Sequence, residues 1–526
     1  MVKGMSWQNE EFPELSREAL FGDRVVPCFR DRPHHFHDLL DHSAALQPDR
    51  EALVMGETRL TWAGVKEECD RVARALAARG LRAGDRVLIL MNNAPGFVIS
   101  LFAVARLNAV SVPFSVRAST DEVAHVFEDS GASMILHDGR QSGRIPPSAA
   151  PAACALATLD GSAPLPEQPA REEETAFILY TSGTTGRPKG AMLAHVNLIH
   201  AAMYYEAAMR MTEKDRIIAA VPLNHVTGIA ALISTAARAG ACMIVMDAFK
   251  TGPFLDLAEA ENMTYTLMVP AMYNLCLLQK DFPSRNLNNW RLAAYGGAPM
   301  PEPTIRKLAE AVPGLQFANC YGSTETIVAQ LITPPPHAYA KREFVGCALP
   351  GTTAIVMDEH GREAPPGEPG ELWLAGPNVV RGYWRNPEAT GKAFQGGYWK
   401  SGDIAAANSD GFVKILDRSK DMINRGGLKI YSAELENVLT DHPAVSEAAV
   451  IAVPCPVLGE RVHAVIALAT EAGEEDLARL CRDRLSDYKV PESWTLGHEP
   501  LLRNANGKVD KKAIRERLLA ESAEKD

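Results

Sequence analysis

The alternation of short apolar runs with helix-like stretches is what most limits the folds open to this chain. Arg86-Val87-Leu88-Ile89-Leu90 is one such run, closed by Asn92-Asn93. Helical spacing follows at 97–106, a second run at 110–112, a helix at 121–128 and a third run at 133–137. Further strand-like runs stand at 176–180, 217–221, 242–246, 264–269, 291–295 and 315–319. Strands that alternate with helices predict a parallel sheet covered by helices. Ahead of them, Thr61 reads as an N-cap, with Val65, Val72, Leu76 and Ala77 at helical spacing and Gly80 beyond the helix end.

A chain of 526 residues exceeds what one core serves, so two or more domains are expected. Residues 141–172 are rich in Ala, Pro and Ser and read as a surface connection. Within 341–415, short runs such as Thr353–Met357 and Glu371–Leu374 alternate with Gly/Pro turns, which suggests a barrel-like subdomain. Beyond Asp417-Arg418-Ser419-Lys420-Asp421 come a helix at 433–439, strands at 446–452 and 462–468 and a helix at 475–486, a small α+β unit. The expected class is α/β: a large multi-layer domain over 1–420 and a small lid over 421–526.

The net charge of −11 argues against a nucleic-acid-binding surface. No run reaches the roughly 18 apolar residues of a membrane span. The nine cysteines form neither a CxxC pair nor a zinc-spaced cluster, and Met1–Glu14 has no apolar h-region. The expectation is a reduced, cytoplasmic enzyme.

Three strand ends, and a segment that follows the Gly396-Gly397 turn, carry residues suited to a nucleotide. Behind Ala176–Tyr180 lies Thr181-Ser182-Gly183-Thr184-Thr185-Gly186-Arg187-Pro188-Lys189. Its hydroxyls and N–H groups can surround phosphate, and Lys189 adds positive charge. It is no Walker A loop: counted from Gly183, the position that needs Gly is Pro188. Ala294-Tyr295-Gly296-Gly297-Ala298-Pro299 ends another strand, and its paired glycines admit a flat ring. In Asn319-Cys320-Tyr321-Gly322-Ser323-Thr324-Glu325, Tyr321 can lie against a purine, Asn319 can read its edge and Glu325 can hold Mg²⁺. Asp403, in Ser401-Gly402-Asp403, can accept both ribose hydroxyls. Each segment alone also fits an ordinary turn.

Together, in this order, they resemble the adenylate-forming superfamily, in its acyl-CoA synthetase branch. The resemblance runs from about residue 36 to 518 and implies further roles. Thr324 touches the α-phosphate and the substrate carboxylate. Residues 181–186 and 297–299 belong to the nucleotide site. His225, in Pro222-Leu223-Asn224-His225-Val226-Thr227, stands between acyl pocket and thioester tunnel. Arg418 contacts the nucleotide, Lys420 is the hinge of the lid, and Gly426-Gly427 lies along coenzyme A. Lys508, in Asn506-Gly507-Lys508, enters the site for adenylation. The acyl pocket falls to His225, Val226, Thr227, Gly296, Cys320, Gly322, Ile327 and Val328. Acetate-specific relatives have Trp where this chain has Gly322, which implies room for a longer or aromatic group. Amino-acid-activating relatives place an Asp near Val226, and its absence implies an acid without an α-amino group.

The function so implied is an ATP-dependent acid–thiol ligase using ATP, Mg²⁺ and coenzyme A. The alternative is a stand-alone ligase that loads an acyl carrier protein in trans. A homodimer is left open.

Overall fold

The computed structural model describes Trp7 and residues 12–165, 171–181, 188–298, 300–503 and 509–523. The chain packs as two compact units. The first holds residues 1–355, 373–400 and 408–413; the second holds 356–372, 401–407 and 414–526. The lid boundary drawn from the sequence at Lys420 therefore differs from the one drawn by packing, which also takes in two earlier segments.

The first unit is built on two sheets. One has six strands in the order Lys189–Ala194, Thr175–Thr181, Val110–Pro113, Arg86–Leu90, Met134–His137, Ala153–Ala155. The other has nine, with Gln316–Tyr321, Leu292–Gly296, Tyr265–Met268, Arg216–Ala219, Cys242–Val245 and Glu51–Met55 as its parallel centre. Side chains alternate across each strand. Val87 and Ile89 share one cluster with Ile217, Ala219 and Ala294, together with the helices Trp62–Ala78 and Pro95–Arg106. That cluster lies between the sheets. Ile218 and Ala293 face a second cluster with Phe254, Tyr273 and Leu308, and Leu88 and Leu90 face a third with Val123 and Val126. The layers thus run helix, sheet, helix, sheet, helix.

Local chemistry sets the helix ends. The Thr61 hydroxyl accepts from Gly64 N at 3.2 Å, and Gly80 beyond the helix has φ +87°. Ser119 and Glu122 form a reciprocal capping box before Thr120–Ser130. Residues 141–165 of the expected surface connection are more ordered than their composition suggests: Ala153–Ala155 pairs parallel with Met134–His137 as an edge strand.

Strands from 353 to 418 form a five-stranded sheet at the expected barrel-like segment. In the second unit, Val445–Cys455 and Gly459–Leu468 make a long antiparallel hairpin, with Ser432–Thr440 and Glu474–Arg484 as helices. Two elements here were not expected: the strand Ser493–Gly497 and the helix Lys511–Ala523.

A histidine cluster near the start of the first unit has a measurable consequence. The rings of His35 and His195 stack at 3.9 Å, and His195 Nδ1 accepts from Phe36 N at 3.1 Å. His200 Nε2 accepts from Phe29 N at 3.0 Å. Burial lowers His35 and His200 to about 4 and holds His195 well below its usual range. The unfolded chain, with histidine near its ordinary value of about 6.5, binds the extra protons first. This contribution to stability is therefore intact above pH ~6.5 and is lost as pH falls towards ~4. The expected slope is ~1.4 kcal/mol per pH unit for each such group. Urea unfolding at pH 7.5, 6, 5 and 4.5 checks it; a midpoint flat over that range contradicts the neutral buried cluster.

Candidate functional site

The C-terminal ends of parallel strands are where open α/β sheets take ligands. In the nine-stranded sheet, the adjacent strands ending at Ala219, Met268, Gly296 and Tyr321 release their loops side by side. Three of those loops carry expected residues: 221–228, 296–298 and 321–328. Register places Gly296 opposite Cys320 and Tyr295 opposite Asn319. A Cβ on Gly296 would lie 2.4 Å from the Cys320 carbonyl oxygen, so this position tolerates only glycine without backbone movement. Gly297, at φ +78°, turns the chain away, and Gly297 and Ala298 are exposed.

The 321–328 loop is tied internally. Ser323 N donates to Thr326 Oγ1 at 3.0 Å, and that hydroxyl donates to the Val328 carbonyl at 3.0 Å. Asn378 Nδ2 donates to Thr326 O at 2.7 Å. Val328 N donates to Thr326 O at 2.5 Å across Ile327, whose φ is +59°. A β-branched residue in that region is strained, and the surrounding bonds must hold it there. Cys320, Ile327 and Val328 are buried, Thr324 is half-buried and Gly322 is exposed. Burial pushes the Cys320 thiol far up, so it is an apolar wall and no nucleophile. A Cβ on Gly322 would meet Val328 O at 2.5 Å and Ala329 Cα at 2.8 Å. A side chain here collides with backbone before it reaches any acyl group, so the size filter read from Gly322 acquires a different physical basis.

Glu325 is only 8% exposed. Its Oε1 accepts from the Tyr383 hydroxyl at 2.7 Å, and its Oε2 accepts from the Ser323 hydroxyl. Burial, then the neighbouring Glu325, push the Tyr383 phenol well above its usual range, so it donates. Lys189 Nζ lies 5.6 Å from the Tyr383 ring centroid. Among the described residues no group of three or more His, Cys, Asp or Glu could hold a metal ion by itself. One buried carboxylate with hydroxyls beside it fits a hard cation that completes its shell with ligand oxygens.

Thr181 and Lys189 are paired in an antiparallel ladder, with Thr181 Oγ1 donating to the Lys189 carbonyl at 3.4 Å. Ser182, Gly183, Thr184, Thr185 and Gly186 lie outside the described residues, as do Pro299 and Lys508. Asn319 Nδ2 donates to Phe344 O at 3.2 Å, and Tyr321 is half-buried.

His225 precedes a π-helix over Thr227–Ser234, whose hydroxyl-bearing end closes on carbonyls five residues back: Ser234 Oγ to Ile229 O at 2.7 Å and Thr235 Oγ1 to Ala230 O at 3.0 Å. Such turns concentrate at functional sites. Val226 and Thr227 are half-buried at its start. Asn93 clamps the preceding turn: its Nδ2 donates to Val221 O at 2.9 Å and Met246 O at 3.0 Å, and its Oδ1 accepts from Leu223 N at 2.8 Å. Neither the π-helix nor this clamp leaves a local pattern in the residues beyond the strand-ending Asn92-Asn93.

In the second unit, Asp403 is buried and its Oδ1 pairs with Arg418 Nε at 2.6 Å, which joins two expected nucleotide residues. Lys420 is exposed in a turn where Asp421 N and Met422 N both donate to Arg418 O. Gly426 (φ +59°) and Gly427 (φ +94°) form the two-residue turn between Ile423–Arg425 and Leu428–Ile430. The hairpin by itself accounts for both glycines. Arg503 bridges Val509, and Lys511 Nζ pairs with Glu436 Oε1 at 2.6 Å and Ser432 Oγ at 2.7 Å. The Ser432 hydroxyl donates in turn to Asp417 Oδ1 at 3.0 Å. Both ends of the segment that carries Lys508 are thereby anchored.

Comparison with known proteins gives two family matches: AMP-binding enzyme over residues 40–384, and AMP-binding enzyme C-terminal domain over 434–508. A feruloyl-CoA synthase from Amycolatopsis sp is 35% identical over 484 residues, covering 90% of this chain and 97% of the relative. The long-chain-fatty-acid–CoA ligase FadD13 of Mycobacterium tuberculosis is 32% identical over 504 residues, covering 92% and 98%. The o-succinylbenzoate coenzyme A synthetase of Bacillus subtilis, solved with ATP and magnesium, superposes with a TM-score of 0.82 at 30% identity, covering 91% and 99%. Among the described residues, no helix is long and apolar enough to cross a membrane.

Proposed function

The chain belongs to the AMP-binding enzyme family and is an acid–thiol ligase of the AMP-forming acyl-CoA synthetase type, and on that premise we propose that it activates an aryl or medium-chain monocarboxylic acid without an α-amino group. The acid's carboxylate oxygen attacks the α-phosphorus of ATP, the bond to pyrophosphate breaks, and acyl-AMP forms. The thiol of coenzyme A then attacks the acyl carbon, giving a thioester and AMP.

The observation that carries this reading is Glu325, a buried carboxylate held by two hydroxyls at the strand ends, with Lys189 beyond Tyr383. Glu325, with Thr324 nearby, would hold Mg²⁺, and that ion would supply positive charge to offset the phosphates. Lys189 and the 181–186 loop hold the outer phosphates, and Lys508 adds charge where the carboxylate meets the polyphosphate; such fixed charges act on the transition state. Asp403, oriented by Arg418, accepts the ribose hydroxyls, while Asn319, Tyr321 and 297–299 frame the adenine. The pocket walls His225, Val226, Thr227, Gly296, Cys320, Ile327 and Val328 offer no carboxylate for an ammonium and no cation for a second carboxylate. Lys420 serves as hinge, and Gly426-Gly427 runs beside the pantetheine arm.

The test is pyrophosphate release across a panel of benzoates, cinnamates, C2–C12 fatty acids, amino acids and dicarboxylates, each with coenzyme A or a carrier-protein thiol as acceptor. Turnover confined to amino acids or dicarboxylates refutes the substrate class. Thioester formed on the carrier alone refutes coenzyme A.

A further inference from the structure

Tyr383 lies outside every motif singled out in the sequence, yet it meets two of the residues that those motifs supplied. Its hydroxyl donates to Glu325 Oε1 at 2.7 Å, and its ring faces Lys189 Nζ at 5.6 Å. The ring is fixed from a second side by Phe394, edge-on at 5.8 Å. Its backbone is stitched to both partners' segments. Trp384 N donates to Gly190 O at 2.7 Å, and Met192 N donates to Gly382 O at 3.1 Å. On the other side, Val380 N donates to Glu325 O at 3.0 Å. Tyr383 N donates to Thr390 Oγ1 at 3.0 Å, which pins the segment again.

Lys189 and Glu325 carry opposite charges in a partly desolvated space, where direct pairing would be strong. Among the described residues no ion pair joins them. The tyrosine meets both, facing the ammonium with its ring and donating its hydroxyl to the carboxylate. We propose that Tyr383 is a positioning residue of the ligase site, a spacer that keeps Lys189 and Glu325 apart and aims the Glu325 carboxylate at the magnesium of bound ATP. This rests on the reading of Glu325 as the magnesium carboxylate. Each Glu325 oxygen accepts one hydroxyl, which leaves lone pairs free for a cation while the carboxyl plane stays fixed. Partners of this kind behind a metal-binding side chain change metal affinity by about 10–100-fold.

Tyr383→Phe removes the hydroxyl and keeps the ring. ATP binding to the full chain is measured by calorimetry at a series of Mg²⁺ concentrations and in EDTA. The expected result is a roughly tenfold higher Mg²⁺ requirement for ATP binding, with affinity in EDTA unchanged. Adenylation at saturating Mg²⁺ should recover most of its rate. An unchanged Mg²⁺ requirement, or an equal loss with and without Mg²⁺, overturns the proposal, the second by showing a merely structural role. Glu325→Gln separates the two readings. If it leaves the Mg²⁺ requirement unmoved, the reading of Glu325 fails; if it raises it while Tyr383→Phe does not, only the spacer fails.

Discussion

Lys508→Ala should lose acyl-AMP formation by roughly a hundredfold or more, the scale of one charge or donor contact made in the transition state. The same variant, given synthetic acyl-AMP and coenzyme A, should still make thioester at close to the normal rate. Single-turnover measurement of each half-reaction separates them. The structural ground is the anchoring around the lysine: Arg503 bridges Val509, and Lys511 is held by Glu436 and Ser432. A side chain presented from a segment tied at both ends can act in one pose and leave the other untouched. Equal loss in both half-reactions would mean that Lys508 holds the lid together instead of serving the first step.

Gly322→Ala should lower kcat/KM for every acid alike, by roughly 10–100-fold, since overpacking a fixed backbone costs about 1–3 kcal/mol. The added Cβ would sit 2.5 Å from Val328 O. The displaced peptide adjoins Ile327, already at φ +59° and held by the hydroxyl of Thr326. The loop that moves is the one that presents Glu325, so loss of small-acid activity should match loss of large-acid activity. This differs from a simple plug, which spares acetate. Acetate, hexanoate and cinnamate measured on Gly322→Ala and Gly322→Trp decide it: acetate turnover retained in the Trp variant while cinnamate is lost would restore Gly322 as the pocket's end wall.

The strands at 86–90, 110–113 and 134–137 were legible because they are covered on both faces and read as unbroken apolar runs. Capping at Thr61 was legible because one hydroxyl meets one backbone N–H three residues on. The motifs at 319–325 and 401–403 were legible as local strings. Tyr383 was not, because its partner Glu325 is 58 residues earlier and nothing in Arg381-Gly382-Tyr383-Trp384 marks it as polar machinery. Lys189–Ala194 was missed as a strand because it follows a Gly- and Pro-rich loop and alternates weakly. The helix at 511–523 was missed because its charged and apolar residues are mixed without a clear apolar stripe. Pairings made across the chain leave no periodic trace, whereas burial of a whole strand does.

The π-helix over Thr227–Ser234 makes chain length, not residue identity, a variable of the proposed acyl pocket. A turn closed five residues back holds one residue more than an α turn spanning the same neighbours. Deleting any one residue between 228 and 233 would restore α spacing. It would also swing His225, Val226 and Thr227 about the axis by roughly 100°, one residue's share of an α turn. Relatives that differ by a single-residue gap in this segment would therefore present different side chains to the acid while sharing every motif around it.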